Sequence, residues 1–309
     1  MLEVVRYNKV YKAAWDSFVN SSNNGTFLFF RDYIAYHSDR FIDHSLLFYK
    51  KGKLIALLPA NESGSEIHSH GGLSYGGIIS DSSMKAPMML RVFEALPDYL
   101  KGAGFEKLVY KAIPHIYHQS PGEADLYALY VAGATLVRRD LNSVICLHDL
   151  LPYSRLRKRK LAKVTGLELQ ESKAFDEFMK LEQELLQVKY NLKPVHSAEE
   201  MNQLALQFPK HIKLYTAREN EGMIAGIIIY ETKTVAHCQY IGATERGKQI
   251  AALDALIDHL ITDVYSGKKY FSFGVSTEQQ GMVLNEKLIR NKESYGARSV
   301  VQDFYELKL

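Results

Sequence analysis

The chain is poor in several features, and each scarcity closes off a class of protein. Its 309 residues include only two cysteines, Cys146 and Cys238, far apart in sequence. A disulfide framework of the secreted kind needs more, so a reducing compartment, the cytoplasm, is expected. No apolar run approaches the roughly 20 residues that span a bilayer, and the N-terminus shows no basic-then-apolar signal segment. A formal charge of +3 is too small to imply nucleic-acid binding by itself. The glycines do not fall at the offsets of the dinucleotide fingerprint or of the kinase-type phosphate loop. There is a single tryptophan, Trp15.

What is present suits a globular protein of ordinary hydrophobicity, 47% apolar and 24% charged. The length exceeds the usual single domain, so two are expected, residues 1–150 and 151–309. Twenty tyrosines and fourteen phenylalanines point to amphipathic surfaces at a cleft or an interface.

The stretch from Gly226 to Gly296 organises the chain. An apolar strand, Gly226–Tyr230, precedes a half-polar one, Val235–Ile241, in which His237 and Gln239 share one face and Cys238 and Tyr240 the other. The loop Gly242-Ala-Thr-Glu-Arg-Gly-Lys248 leads into a helix predicted from Gln249 to about Val264, with Ile250, Leu253, Ile257 and Leu260/Ile261 on one side. Tyr270–Gly274 reads as a further strand. Strand, strand, glycine loop, helix, strand is an anion-binding arrangement in outline, with free N–H groups at the loop and helix start.

The first half runs through the same order. The hairpin Leu46–Leu58, turning at Lys51-Gly52-Lys53, parallels Leu214–Ile229, turning at Glu221-Gly222. The glycine-rich segment His68–Gly77 precedes a helix from Lys85 to Leu100, with Pro87 in its first turn and Pro97 near its end. A strand at Leu108–Tyr110 follows. Both halves are therefore expected to be one mixed α/β unit, antiparallel strands first, duplicated along the chain. Between them Leu151–Lys163 holds six basic residues and no acidic one. On a helix Arg155, Arg159 and Lys163 share a face and Leu156 supplies an apolar contact. That helix is either a solvated linker or a phosphate contact on a ligand. Helices are also expected over Ser172–Gln187 and Ser197–Gln207, the second opening with the capping box Ser197-Ala-Glu-Glu200, and turns at Asn191–Pro194.

Near the C-terminus, Tyr270-Phe-Ser-Phe-Gly274 and Asn285-Glu-Lys-Leu-Ile-Arg-Asn-Lys-Glu-Ser-Tyr-Gly296 resemble the signature of FemAB-like acyltransferases within the GNAT superfamily. In that signature Ser272 stands in place of an acid, Asn291 of a phenylalanine and Tyr295 of another aromatic. The resemblance implies an α/β (α+β) fold of two tandem GNAT-like acyl-CoA N-acyltransferase domains with mixed, mostly antiparallel sheets. It implies an acyl donor, acetyl-CoA or another acyl-CoA, held by Arg246, Gly247 and Lys248 together with Gln239, Ile241 and Gly242. It implies an acceptor amine on a sugar or peptide intermediate of bacterial envelope or polysaccharide synthesis. The alternative donor is an aminoacyl-tRNA, although no heptad run long enough for the helical arm of some such enzymes is present. A catalytically inactive binding protein and a nucleic-acid-associated protein are the other classes. No metal is expected, and a monomer or homodimer is.

The reaction would be attack of an amine on an ester or thioester carbonyl, with an oxyanion to be stabilised. Glu278, after a strand end, and His237 are candidate bases, and Tyr240 a proton donor to the leaving group. Lys292 matches the Fem-type lysine and is expected against substrate or developing charge. Cys238 has no evident histidine partner and is not expected to be a nucleophile. Phe30, Tyr33 and Tyr75 would wall the acceptor, and Arg155 and Arg159 would meet a phosphate it carried.

Overall fold

The structure, a computed structural model, describes residues 2–192, 194–220 and 222–309. Glu221 of the expected hairpin turn and Lys193 of the expected Asn191–Pro194 turn lie outside the described residues. The chain forms two compact units: one takes residues up to Leu141 with Thr277–Val283 and Val301–Leu309, the other Asn142–Ser276 with Leu284–Val300. Where a single cut after residue 150 was expected, two C-terminal segments return to the first unit.

In the first unit the hairpin forms as its sequence predicts. Leu46–Lys50 pairs antiparallel with Lys53–Leu58, from Leu46↔Leu58 to Lys50↔Lys53. Lys51 and Gly52 both take positive φ, +50° and +76°, as a two-residue turn matching the strand twist requires. Strand Leu2–Arg6 pairs antiparallel on one side of the hairpin and Ile79–Ser80 on the other. Elsewhere in the unit Glu66–His68 runs parallel to Lys107–Lys111. The helix Ala86–Gly102 buries Met89, Val92, Phe93, Leu96 and Leu100, a continuous stripe. Pro87 sits in the first turn, and Pro97 lies inside the helix without ending it.

The second unit is a sheet covered on both faces. Glu168–Ser172, Ile212–Glu219, Gly222–Glu231 and Val235–Ala243 are successively antiparallel. Tyr270–Val275 then runs parallel to Val235–Ala243 and antiparallel to residues 142–146. The unbroken apolar run in Gly222–Glu231 follows from burial on both sides. Ala225, Ile227 and Ile229 pack in one cluster with Leu256, Ile257 and Leu260. Gly226, on the opposite face, meets the Phe178 ring, which would lie 2.4 Å from an added Cβ. Helix Phe175–Tyr190 supplies Phe178, and helix Ala198–Gln207 starts on the expected capping box, Glu200 N–H donating to Ser197 Oγ at 3.2 Å and Ser197 N–H to Glu200 Oε2 at 2.7 Å.

One expected helix is broken. The Gln249–Val264 segment becomes a short helix Glu245–Gln249, a left-handed residue at Ala251 (φ +58°), a helix Ala252–His259 and a wider π turn Leu260–Val264. The apolar period survives the break, since Ala252, Leu256, Ile257, Leu260 and Ile261 are all buried. Among the described residues no helix is long and apolar enough to cross a membrane.

Candidate active site

The second unit has a local opening in its sheet. Val235–Ala243 and Tyr270–Val275 are paired only as Val235↔Tyr270, Ala236↔Phe271 and His237↔Ser272. Both strands run on for several residues, so beyond His237 and Ser272 two neighbouring parallel strands part. At the same point Val235–Ala243 carries a β-bulge: register passes from Ile229↔Cys238 to Ile228↔Tyr240, leaving Gln239 as the extra residue. A bulge re-aims side chains and leaves backbone groups unpaired, a recurrent feature beside active sites.

The root of the opening is a tight polar cluster. Lys292, 6% exposed, projects from helix Glu286–Glu293. Its Nζ donates to Gly274 O at 3.0 Å, Val275 O at 2.7 Å and Ser276 Oγ at 3.0 Å. Three donors meet three acceptors on one strand end. Burial lowers the ammonium's pKa to about 8. His237 Nδ1 lies 3.1 Å from Ser272 Oγ, which also accepts from Gly274 N–H at 3.2 Å. Burial and, secondarily, the Lys292 charge push the imidazole down to about 4, so it is neutral near pH 7. Gly274 has φ +70°, and an added Cβ would sit 3.2 Å from the His237 ring. Cys238 is buried and its thiol is pushed far above the ordinary range by desolvation, which excludes a ready thiolate.

The C-terminal signature proves to be a lock. Arg157, buried on helix Arg155–Leu161, donates to Ser294 Oγ at 2.7 Å and Asn291 Oδ1 at 2.7 Å, and pairs with Asp254. Its guanidinium lies over the Tyr295 ring at 3.8 Å, and Tyr295 stacks on Phe273 at 5.5 Å. Gly296 turns at φ +86° with the Leu151 carbonyl oxygen 2.4 Å from where a Cβ would stand, so only glycine fits. In the basic helix, then, Arg157 is the working side chain. Arg155 and Arg159 are exposed, and the contact expected of Leu156 does not form, that residue being 71% exposed.

The expected donor residues lie at the far end of the parted strand, and their charges are already engaged. Arg246 makes a two-point ion pair with Glu219, Nε at 2.8 Å and Nη2 at 2.7 Å. Lys248 Nζ pairs with Glu245 at 2.5 Å. Thr244 Oγ1 accepts from Gly247 N–H at 3.0 Å, capping a helix of only five residues. Gly247 is pressed on the neighbouring strand, with Ile224 O only 2.2 Å from an added Cβ. Its glycine is explained by that contact rather than by a ligand. Beside this turn a cavity of about 920 Å³ is lined by Ile241, Gly242, Thr244, Glu245 and Lys248, and across from them by Glu182, Glu184 and Leu185.

Glu182 has no counterpart in the sequence reading. It stands on the apolar stripe of Phe175–Tyr190, four residues after Phe178 and three before Leu185. A carboxylate at such a place on an amphipathic helix is the signal that was available. It is 8% exposed, and its Oε2 lies 3.0 Å from the position of a Gly242 Cβ. Desolvation raises its pKa to about 7.

The remaining expected residues fall elsewhere. Tyr240 is buried, with its hydroxyl 2.7 Å from His196 Nδ1, so the proposed proton donor is held in a side-chain pair on the helix-covered face. Glu278 is exposed in Thr277–Glu278 and belongs to the first unit, whereas Lys292 belongs to the second. Tyr33 and Tyr75 are both buried, Tyr75 packing on Tyr117 at 4.2 Å. Phe30 caps helix Arg31–Ala35. Its neighbour Arg31 reaches Ser45 and Asp43, stacks over Tyr7 at 3.6 Å, and lines a separate cavity of about 690 Å³ within the first unit.

Residues 153–279 match the acetyltransferase (GNAT) domain family. No curated protein matches the chain. Among solved structures it is similar to FemX, at TM-score 0.70 and 9% identity over 99% of this chain and 97% of that one. It is similar to the L-PGS of Bacillus licheniformis, at TM-score 0.60 and 12% identity over 98% and 92%. It is also similar to the C-terminal domain of a putative lysylphosphatidylglycerol synthetase from Agrobacterium fabrum, at 0.56 and 12% over 86% and 84%. The expected fold is borne out: residues 153–279, most of them in the second unit, match the GNAT acetyltransferase domain model, and the chain has a FemX-like fold over nearly its whole length.

Proposed function

We propose that the protein transfers an aminoacyl group from an aminoacyl ester, of the kind carried by tRNA, to an amine. The supporting observation is the charge state of the expected diphosphate site. Arg246 and Lys248 are each paired with a carboxylate, Glu219 and Glu245, and the adjoining cavity presents two further carboxyls, Glu182 and Glu184. A coenzyme A diphosphate entering there would have to compete with an ion pair for each cation and would face the Glu182 and Glu184 carboxyls. An aminoacyl ester brings an ammonium instead. Likeness in fold to FemX, to L-PGS and to a putative lysylphosphatidylglycerol synthetase supports the same choice. The acceptor, by the sequence resemblance, is an amino group on a sugar or peptide intermediate.

The chemistry asked of the site is modest. The acceptor nitrogen attacks the ester carbonyl, the ester C–O bond breaks as the amide forms, and the proton lost by the amine is balanced by the one the leaving alkoxide gains to become a hydroxyl. Positioning and oxyanion stabilisation supply most of the rate. Lys292 serves this by fixing the strand end Gly274–Ser276, and the Gln239 bulge shapes the opposite wall of the opening. The test is a donor comparison with purified protein. Acetyl-CoA with a panel of amino sugars and amino-terminal peptides should release no thiol, while bulk aminoacyl-tRNA with the same panel should lose its aminoacyl label to an acceptor. Amine-dependent thiol release, with no aminoacyl transfer, would reverse the assignment in favour of acyl-CoA.

A further inference from the structure

We propose that Glu182 is the recognition group of the cavity beside the parted strands, and that it selects ligands carrying a primary ammonium. The proposal deepens the aminoacyl reading and rests on it for the source of that ammonium. Three observations carry it. The residue is more than nine-tenths buried, yet it lines a cavity large enough for an amino acid and part of what bears it, with its Oε2 beside Gly242 of the same lining. Among the described residues it has neither a hydrogen-bond partner nor an ion pair; desolvation is the sole cause acting on its carboxyl. Buried carboxyl groups are nearly always paired, so one left open beside a cavity is a group awaiting a donor.

The surroundings were built to hold it there. Phe178, one turn earlier, wedges against Gly226 and Gly242, which have no side chains to resist it. That wedge sets the helix close to Val235–Ala243 and brings the Glu182 carboxyl to 3.0 Å from the Gly242 Cβ position, with Leu185 Cδ1 at 3.2 Å. The absent Gly242 side chain therefore leaves the carboxyl its approach to the strand edge. An ammonium there would gain an ion pair in a desolvated place, whereas an N-acylated or hydroxyl analogue of the same shape would leave the carboxyl unpaired. Sites of this type discriminate strongly, because the wrong ligand strands a buried polar group. Glu184 adds negative potential at the cavity and is exposed.

The ammonium has two possible sources, the α-amino group of the donor ester and the acceptor amine. Binding to the whole protein, followed by ligand-observed NMR, separates them without turnover. The donor-side probes are alanine methyl ester and its N-acetyl form; the acceptor-side probes are glucosamine and N-acetylglucosamine. Wild type should bind at least one free amine about tenfold or more tighter than its N-acetyl partner. Glu182→Gln should erase that preference, Glu182→Asp should weaken it, and Glu184→Gln should leave it within about twofold. If neither pair is discriminated by the wild type, or if the preference survives in Glu182→Gln, the proposal is overturned. Should Glu182→Gln fail to fold, Glu182→Asp carries the same comparison. Ammonium selection without aminoacyl transfer from tRNA would refute the proposed function and leave this inference standing; transfer at an undiminished rate by Glu182→Gln would do the reverse.

Discussion

Replacing Lys292 by methionine keeps the aliphatic stem and removes the ammonium, so it isolates what the three bonds to Gly274 O, Val275 O and Ser276 Oγ contribute. Hydrogen bonds to a charged group stabilise by about 1.5–3 kcal/mol each, giving roughly 6 kcal/mol for three. Against this stands the cost of burying the ammonium, which appears as the fall in its pKa from 10.5 to about 8. At 1.36 kcal/mol per unit that cost is about 3 kcal/mol, leaving a net loss on substitution of about 3 kcal/mol at pH 7. Ser276 Oγ keeps Ser143 Oγ as a partner at 3.1 Å, and Val275 is exposed enough for water to reach. Gly274 O is the group left stranded, so hydrogen exchange should rise first at residues 274–276. The pH dependence has a definite sign. Lys292 binds fewer protons folded than unfolded between pH 8 and 10.5, so its contribution to stability grows with pH through that window. The gap between the lysine and methionine proteins should therefore widen as pH rises from 8 to 10. Urea titrations by far-UV circular dichroism measure it, while fluorescence of Trp15 reports the first unit. An unchanged urea midpoint, with unchanged exchange at residues 274–276, would refute the claim that this lysine fixes the strand end.

Other outcomes follow from the same geometry. Glu182, with its carboxyl raised from 4.5 to about 7, binds more protons folded than unfolded in that interval. It therefore withdraws stability as pH rises through the interval, by up to about 3 kcal/mol above pH 7. Glu182→Gln should match wild type near pH 4 and exceed it at pH 8, and a parallel pair of stability-against-pH curves would contradict this. His237, held at about 4 against an ordinary 6.5, should show no ring titration by NMR between pH 5.5 and 8. Its contribution to stability should be lost as pH falls from about 6.5 to 4. Arg157→Lys loses the planar grip on Ser294, Asn291 and the Tyr295 ring and should cost about 1–3 kcal/mol in urea unfolding, whereas Arg159→Lys should cost under about 0.5. Gly247→Ala places a methyl 2.2 Å from the Ile224 carbonyl oxygen and should destabilise by about 1–3 kcal/mol whether or not any ligand is added.

The sequence by itself determined what local chemistry determines. Lys51-Gly52 made the first hairpin because that turn needs two residues at positive φ, and Ser197 with Glu200 made a capping box from one turn of chain. Alternation and apolar periodicity fixed the strands Gly222–Glu231 and Val235–Ala243 and the buried stripe through Leu256, Ile257, Leu260 and Ile261. The C-terminal signature pointed to the acyltransferase family and to Lys292. Tertiary structure decided which partner each charged group found, since that depends on neighbours distant in sequence. Arg157 rather than Arg155 or Arg159 faces inward because Ser294, Asn291 and Tyr295 lie 134–138 residues away with complementary groups. Arg246 reads as a phosphate ligand until Glu219, on strand Ile212–Glu219, engages its Nε and Nη2. The opening itself was invisible in one dimension: two strands 27 residues apart pair for three residues and then separate. Glu182 gained its meaning the same way, since only the close seat of Phe178 on two glycines turns a helix carboxylate into the unpaired edge of a cavity.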